Sequence, residues 1–267
     1  VTVPSDGLDD LVTDLGGTGQ PVRWDTLTWP EAGSAADRLD AVIIPVGAIE
    51  QHGPHLPLNV DSVICEEVAL GVSALTGVPV VPTLGYGVSG SHGDFAGTLA
   101  LRPETLIAMV EDVIDSLHAS GIRQFILLNG HIWNSGSLDV SAEKLRVRHK
   151  DARVRSIAYV TMYPGPEVNG RVHHGRGLMH ANFFETSVML HLRPALVHMD
   201  RATSHLDVDS FWDYRMDQVS ETGVWGRDVA EANAEHGKSE FERCVQTTAR
   251  AIAAAVREPW PSSAHRP

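Results

Sequence analysis

The sequence is of the α/β class and predicts a single three-layer α/β/α domain around a mainly parallel central sheet. Three observations carry this expectation. Apolar strand-like runs alternate with amphipathic helix-like stretches over the first 160 residues, the order that gives a parallel sheet with helices on both faces. The run Asp40 to Ile49 is nearly continuous in β-branched and apolar residues, as in a strand covered on both sides. A chain of 267 residues, 43% of them hydrophobic, can also bury one large core.

Taken in order, residues 1–22 are rich in Gly, Asp and Thr and are expected to form an irregular arm with one short helix, leaving residues 23–267 as the domain. After the first strand, a helix is expected from Asp61, with Ile64, Val68, Val72 and Leu75 on one stripe and Gly77 as its stop. Val78 to Pro82 reads as a short second strand, and Gly85 to Thr98 as a functional or mobile loop containing Ser91 and His92. Pro103 opens a helix whose buried stripe is Leu106, Val110, Ile114 and Leu117 and which Gly121 ends. Gln124 to Leu128 is the next strand, running into Asn129-Gly130-His131. A helix over Gly136 to His149 and a strand over Val154 to Val160 follow. Beyond a Gly- and His-rich loop from Pro164 to Met179, with His173 and His174 read as solvated, His180 to Leu192 reads as a helix. Pro194 to Gly237, with Trp212 and Trp225, is irregular, and the last helix buries Phe241, Val245, Thr248, Ile252 and Val256.

Bulk properties exclude several functions. A formal net charge of −13 with no Lys/Arg cluster argues against nucleic acid as partner. No apolar run reaches the roughly 18 residues of a membrane-spanning helix, and the first residues lack the pattern of a signal peptide. Two cysteines, Cys65 and Cys244, are too few for a disulfide framework and fit buried helix positions. A soluble, cytoplasmic protein is expected.

The chemistry concentrates at predicted strand ends, where ligands of open α/β sheets bind. Glu50, His52 and Asp61 fall within twelve residues after the first strand, and Glu50 and His52, two apart in an extended segment, can face one ion. Asp61 can swing back with two oxygens able to bridge a metal pair, and His131 would add a nitrogen from the neighbouring strand end. A lone Glu-x-His pair is more often surface decoration; the second histidine in a separate strand-end motif makes a metal site a serious reading. Carboxylate and imidazole without thiolate suit Zn²⁺, Mn²⁺ or Fe²⁺, one or two ions per subunit. Such a site acidifies water and polarises a carbonyl, so metal-assisted hydrolysis is the expected reaction class. His55, between two prolines, is either a further ligand or a residue holding the loop.

The ordered set Glu50 to Leu58 with Asp61, Ser91-His92 with Phe95 to Thr98, Asn129-Gly130-His131 with Asn134, His180-Ala181 with Glu185-Thr186-Ser187, and Gly223-Val224-Trp225-Gly226 resembles the creatininase (creatinine amidohydrolase) family over nearly the whole chain. The resemblance implies a metal-dependent amidohydrolase of a small cyclic amide or related C–N bond, and a homo-oligomer, hexameric by family. It further implies metal ligation by Glu50, His52, Asp61 and His131, with Asp61 bridging. Glu185 would be a fifth ligand or water activator, and His180 the shuttle that brings a proton to the leaving group. Creatininase itself carries a glutamate ligand two residues after the motif histidine, where this chain has Trp133. An indole cannot ligate, so either Glu185 completes the second site or that site is weak. Trp133 is then either a flat wall for a ring substrate or a core residue under the following helix. Ser91 and His92 are candidate substrate contacts beside it. The alternatives are hydrolysis of a C–C bond in a cyclic polyol ketone, and a non-catalytic oligomer that binds a metal or small molecule.

Overall fold

The computed structural model describes residue 12 and residues 15–159, 180–205 and 213–261. Three parallel strands, β1 (Ala41–Val46), β2 (Gln124–Asn129) and β3 (Arg153–Ala158), lie in the order β1-β2-β3. β1 and β2 are fully buried, as their unbroken apolar runs predict. Pleating sends alternate side chains to opposite faces. Ala41, Ile43, Ile126, Leu128 and Ile157 join one core, while Val42, Ile44, Val46, Phe125, Leu127 and Val154 join the other.

Helices cover both faces. The first core is closed by α2 (Val60–Thr76), α5 (Phe183–Leu192) and α7 (Ala234–Arg257); the second by α3 (Pro103–Ala119) and α4 (Ser135–Arg148), with Ala36 of α1 (Trp29–Leu39) at its edge. A short helix, α6 (Met216–Val219), stands apart from both cores. This is the predicted three-layer α/β/α arrangement. Gly77 ends α2 in the left-handed conformation (φ 72°), and Pro103 opens α3, both as the sequence indicates.

Four local expectations change. Val78 to Pro82 runs alongside β1 through isolated bridges rather than as a strand, because Pro79 and Pro82 have no N–H to give to a ladder. β1 ends at Val46, not Ile49, since the chain must leave the sheet to form the Glu50 loop. His180 is not helical. It pairs antiparallel with Trp225, Ala181 turns left-handed (φ 52°), and α5 begins only after Asn182. α1 has no counterpart among the elements expected from the sequence, although Trp29, Ala32, Ala36 and Leu39 recur at helical spacing and Thr28 with Glu31 forms a capping box; only Ala36 is buried. The expected loop at 164–179 with His173 and His174, the end of the β3 prediction at Val160, Trp212 and most of the N-terminal arm lie outside the described residues. What is described of the arm lies on α2: the amide of Gly19 donates to Ala74 O (3.0 Å) and that of Val22 to Ser73 Oγ (2.9 Å).

The register of β1 on β2 brings two loops to one place. Val46 stands opposite Asn129, and the amide of Gly130 donates to Val46 O at 2.8 Å, so β1 and β2 release their loops at the same level. Gly130 is required there, because a Cβ would run into Cys65 Cβ (2.6 Å) and Asp61 O (2.8 Å) on the first turns of α2.

Candidate metal centre and active site

Glu50, His52, Asp61 and His131 meet in one buried cluster at the carboxyl ends of β1 and β2. Each is held by its own local structure. The loop after Glu50 closes through the Glu50 amide on Leu58 O (2.9 Å). His52 Nδ1–H donates to Glu50 O (3.1 Å), which turns Nε2 toward Asp61 Oδ1, 3.4 Å away, as the nitrogen left to bind an ion once deprotonated. Asn129 Oδ1 accepts the His131 amide (3.0 Å), and His131 Nε2–H donates to Val88 O (3.1 Å), directing Nδ1 at Asp61 Oδ2, 3.1 Å away. Asn134 closes the motif by donating to Gly47 O (3.0 Å) and accepting from the Val88 amide (2.9 Å).

Glu185 arrives from the opposite side. Asn182 caps α5: its Oδ1 accepts the Glu185 amide (2.9 Å), and the Glu185 carboxylate accepts the Asn182 amide (3.3 Å). The carboxylate then makes a ligand set with His52 and Asp61, while Glu50, Asp61 and His131 make another. Both sets contain Asp61. A third set, Glu50, His92 and His180, shares Glu50.

The donor atoms fit divalent ions. Glu50 Oε2, His52 Nε2 and Asp61 Oδ2 are buried and make no hydrogen bond of acceptable geometry, an arrangement that costs free energy unless something else satisfies them. Their nearest imidazole or carboxylate neighbours lie 3.1–3.4 Å away. Two ligands each about 2.0–2.1 Å from a tetrahedral ion are separated by about 3.4 Å.

Electrostatics agree with a site waiting for positive charge. Burial, helped by the nearby charge of Asp61, pushes Glu50 up to about 7, and burial likewise raises Glu185 to about 7. Burial opposes charge on His52, but Asp61, Glu185 and Glu50 outweigh it and lift the imidazole to about 10. His131 rises to about 9 against the same penalty, through Glu50 and Asp61. Asp61 is held below the usual carboxylate range because these imidazoles outweigh its desolvation. His180 goes the other way. Burial and the neighbouring charge of His52 hold its pKa well below the ordinary value, so it is neutral near pH 7. Its Nε2–H donates to the backbone carbonyl of Gln51 (2.6 Å), and Nδ1 faces Glu50 Oε1 at 3.4 Å.

Of the remaining expected residues, His92 is buried beside His180, with ring centroids 4.4 Å apart, and Ser91 is half-buried in the same turn. Trp133 is half-buried against Met216, Val219, Trp225 and Phe95, an apolar cluster separate from both cores. His55 holds the loop: its Nε2 is hydrogen-bonded to Thr186 Oγ1 (2.9 Å), and its carbonyl accepts the His198 amide (2.8 Å).

Sequence reasoning missed Gln51, which touches His92, His180 and Gly223 at once. The available signal was Gly223: it sits at φ 75°, and any Cβ there would overlap the Gln51 amide. Asn182 was also missed; the spacing Asn-x-x-Glu before an apolar run is a capping signal.

The sequence profile of the creatininase family, described as creatinine amidohydrolase, matches residues 25–252. The chain belongs to the creatininase family. It is 34% identical over 254 residues to creatinine amidohydrolase of Pseudomonas putida, covering 88% of this chain and 96% of that one. It is 33% identical over 235 residues to a mycofactocin precursor peptide peptidase of Mycobacterium tuberculosis, covering 82% and 87%. A mutant creatininase of Zn–Zn type superposes with a TM-score of 0.73 at 31% identity, covering 87% of this chain and 97% of that one. The α/β/α fold and the hydrolase character of the family thus agree with the sequence reading. Among the described residues, no helix is long and apolar enough to cross a membrane.

Proposed function

We propose that this creatininase-family chain is a hydrolase that uses a pair of divalent ions to cleave the C–N bond of a small amide. The observation that carries the reading is the pair of buried ligand sets, Glu50/Asp61/His131 and His52/Asp61/Glu185, joined through one carboxylate. A divalent pair held there would acidify a water molecule and polarise the scissile carbonyl. With Trp133 unable to ligate, Glu185 completes the second set. Zinc fits the all-N/O donors, as do manganese and iron.

The chain's own groups supply the rest. Glu50 and Glu185, which burial raises to about 7 in the metal-free chain, would be held as carboxylates by the ions they ligate. His180, neutral with Nδ1 facing Glu50, can take up a proton at that nitrogen and return it to the leaving amine. The half-buried Trp133 and Phe95, packed on the buried Trp225 that pairs with His180, offer an apolar surface suited to the non-reacting part of the substrate. Ser91 and His92 approach from the facing turn. Amide cleavage is favoured over the carbon–carbon alternative because the Pseudomonas putida and Mycobacterium tuberculosis relatives are named for amide or peptide substrates.

Residues 23–267 are read as one domain with 1–22 as an arm, supported by the span of the family match. Two buried free cysteines support a reducing cytoplasm. The assembly proposed with this reading is a homo-oligomer, hexameric by family resemblance.

Elemental analysis followed by a panel of lactams, formamides, short peptides and cyclic ketones tests the proposal. The expected result is about two transition-metal equivalents per chain and release of a free amine. A metal-free protein, or products of carbon–carbon cleavage alone, would overturn it.

A further inference from the structure

The Gln51 carboxamide is buried with three polar neighbours for its nitrogen and one for its oxygen. Its orientation is determined by two backbone groups of fixed character. Oε1 accepts the Gly53 amide (2.9 Å), and Nε2 donates to Gly223 O (3.1 Å); a flipped amide would violate both. His180 Nε2, 2.6 Å from the Gln51 carbonyl, must carry a proton, because two lone pairs would otherwise face each other. It therefore cannot accept from Gln51 Nε2 as well, although that atom is only 2.9 Å away. The second amide hydrogen is left for His92 Nδ1, at 3.0 Å. An imidazole that accepts at Nδ1 carries its hydrogen on Nε2, and His92 Nε2 lies on the Glu50 side of the ring, 3.8 Å from Glu50 Oε1.

We propose that Gln51 is a positioning residue that fixes two histidine tautomers at once: its side chain makes His92 an Nε2–H donor on the Glu50 side, and its backbone carbonyl makes His180 present Nδ1. His92 then donates a hydrogen bond to the substrate's carbonyl oxygen as charge develops there, a role that rests on the hydrolase reading above. The assignment also decides the third candidate ligand set. His92 Nε2 bears a hydrogen and cannot ligate, so Glu50, His92 and His180 form a donor–acceptor group and not a third ion site. The same logic explains Gly223, whose missing Cβ makes room for the amide.

Neutron diffraction from the zinc-loaded protein tests the assignment without relying on turnover. Deuterium is expected on Nε2 of both His92 and His180, and none on His92 Nδ1. Deuterium on His92 Nδ1, or zinc bound to His92, overturns the proposal. In Gln51→Glu the side chain can only accept, so the His92 deuterium should move to Nδ1 while His180, held by the backbone, keeps Nε2–D. A shift at both histidines, or at neither, counts against it. Gln51→Met, which keeps the length and loses both hydrogen bonds, serves if the glutamate variant does not fold; there His92 should show a mixture of tautomers. On the amide that the wild type turns over, Gln51→Glu should lose about 100-fold in kcat with KM changed little, the pattern of a lost donor to developing charge, while Gln51→Met should lose kcat only in proportion to the share of the Nε2–H tautomer that disappears. Full kcat with an altered His92 tautomer refutes the donor role. A wild type that cleaves no amide but shows both predicted tautomers refutes the hydrolase reading and the donor role, and leaves the tautomer assignment standing.

Discussion

The two ligand sets that share Asp61 are built in different ways. Glu50, Asp61 and His131 come from the ends of two adjacent strands and the first turn of α2, and all three are more than nine-tenths buried. In the other set, His52 and Asp61 belong to this frame, but Glu185 comes from α5 and is only half-buried. Its place depends on the Asn182 cap and on the pairing of His180 with Trp225. The first set is preorganised by the sheet, whereas the second is assembled by a helix that must dock. The difference predicts unequal ions, one tightly held and one exchangeable.

The largest disturbance is Asp61→Ala, which removes the shared carboxylate. Both ions should be lost by elemental analysis, and activity should fall by ~10³-fold or more, the scale felt when a group acting within one catalytic unit is removed. Glu185→Gln separates the two sets. One ion should remain by elemental analysis, with activity down by about 100-fold and partly restored by excess metal. Retention of two tight ions in this variant would show the sets to be equivalent. Asn182→Ala is gentler: loss of the cap should cost about 1 kcal/mol in thermal or urea unfolding and weaken only the exchangeable ion, about 10-fold by competition with a chelator.

The smallest effect is a count of protons. His52 and His131 have pKa values raised to about 10 and about 9, so in the metal-free protein each holds a proton at pH 7.5. Coordination requires the lone pair, so loading must release those protons, and affinity should rise with pH until it passes 9 to 10. Calorimetric titration in buffers of different ionisation enthalpy should report about one proton released for each imidazole ligated. No dependence on buffer would mean that the imidazoles are neutral before loading.

The same contrast explains what could be read from the sequence. The first set was legible because its causes are local: a β-branched run that ends in a polar motif, a helix that starts at Asp61, and a Gly-His pair at the next strand end. The three-layer fold was legible for the same reason, from periodicity alone. In the second set Glu185 was legible only by resemblance, because the start of its helix is placed by the antiparallel contact of His180 with Trp225, and no short-range pattern announces a pairing across that distance. Reading His180 as helical followed the apolar run of α5 past its true start, where Ala181 turns left-handed. Val78 to Pro82 has strand composition but lacks donors at both prolines. Gln51 was passed over as a spacer between two ligands, since its partners lie 41, 129 and 172 residues away.

The apolar cluster of Phe95, Trp133, Met216, Val219 and Trp225 has a consequence for how such a protein could diverge. None of its residues belongs to either ligand set, and Met216 and Val219 sit on α6, outside both cores. On the proposed reading, in which this cluster meets the substrate, substitutions there would reshape what is accepted without touching the groups around Asp61 or the sheet. Selection could therefore exchange one cargo for another while the groups gathered around Asp61 are inherited intact.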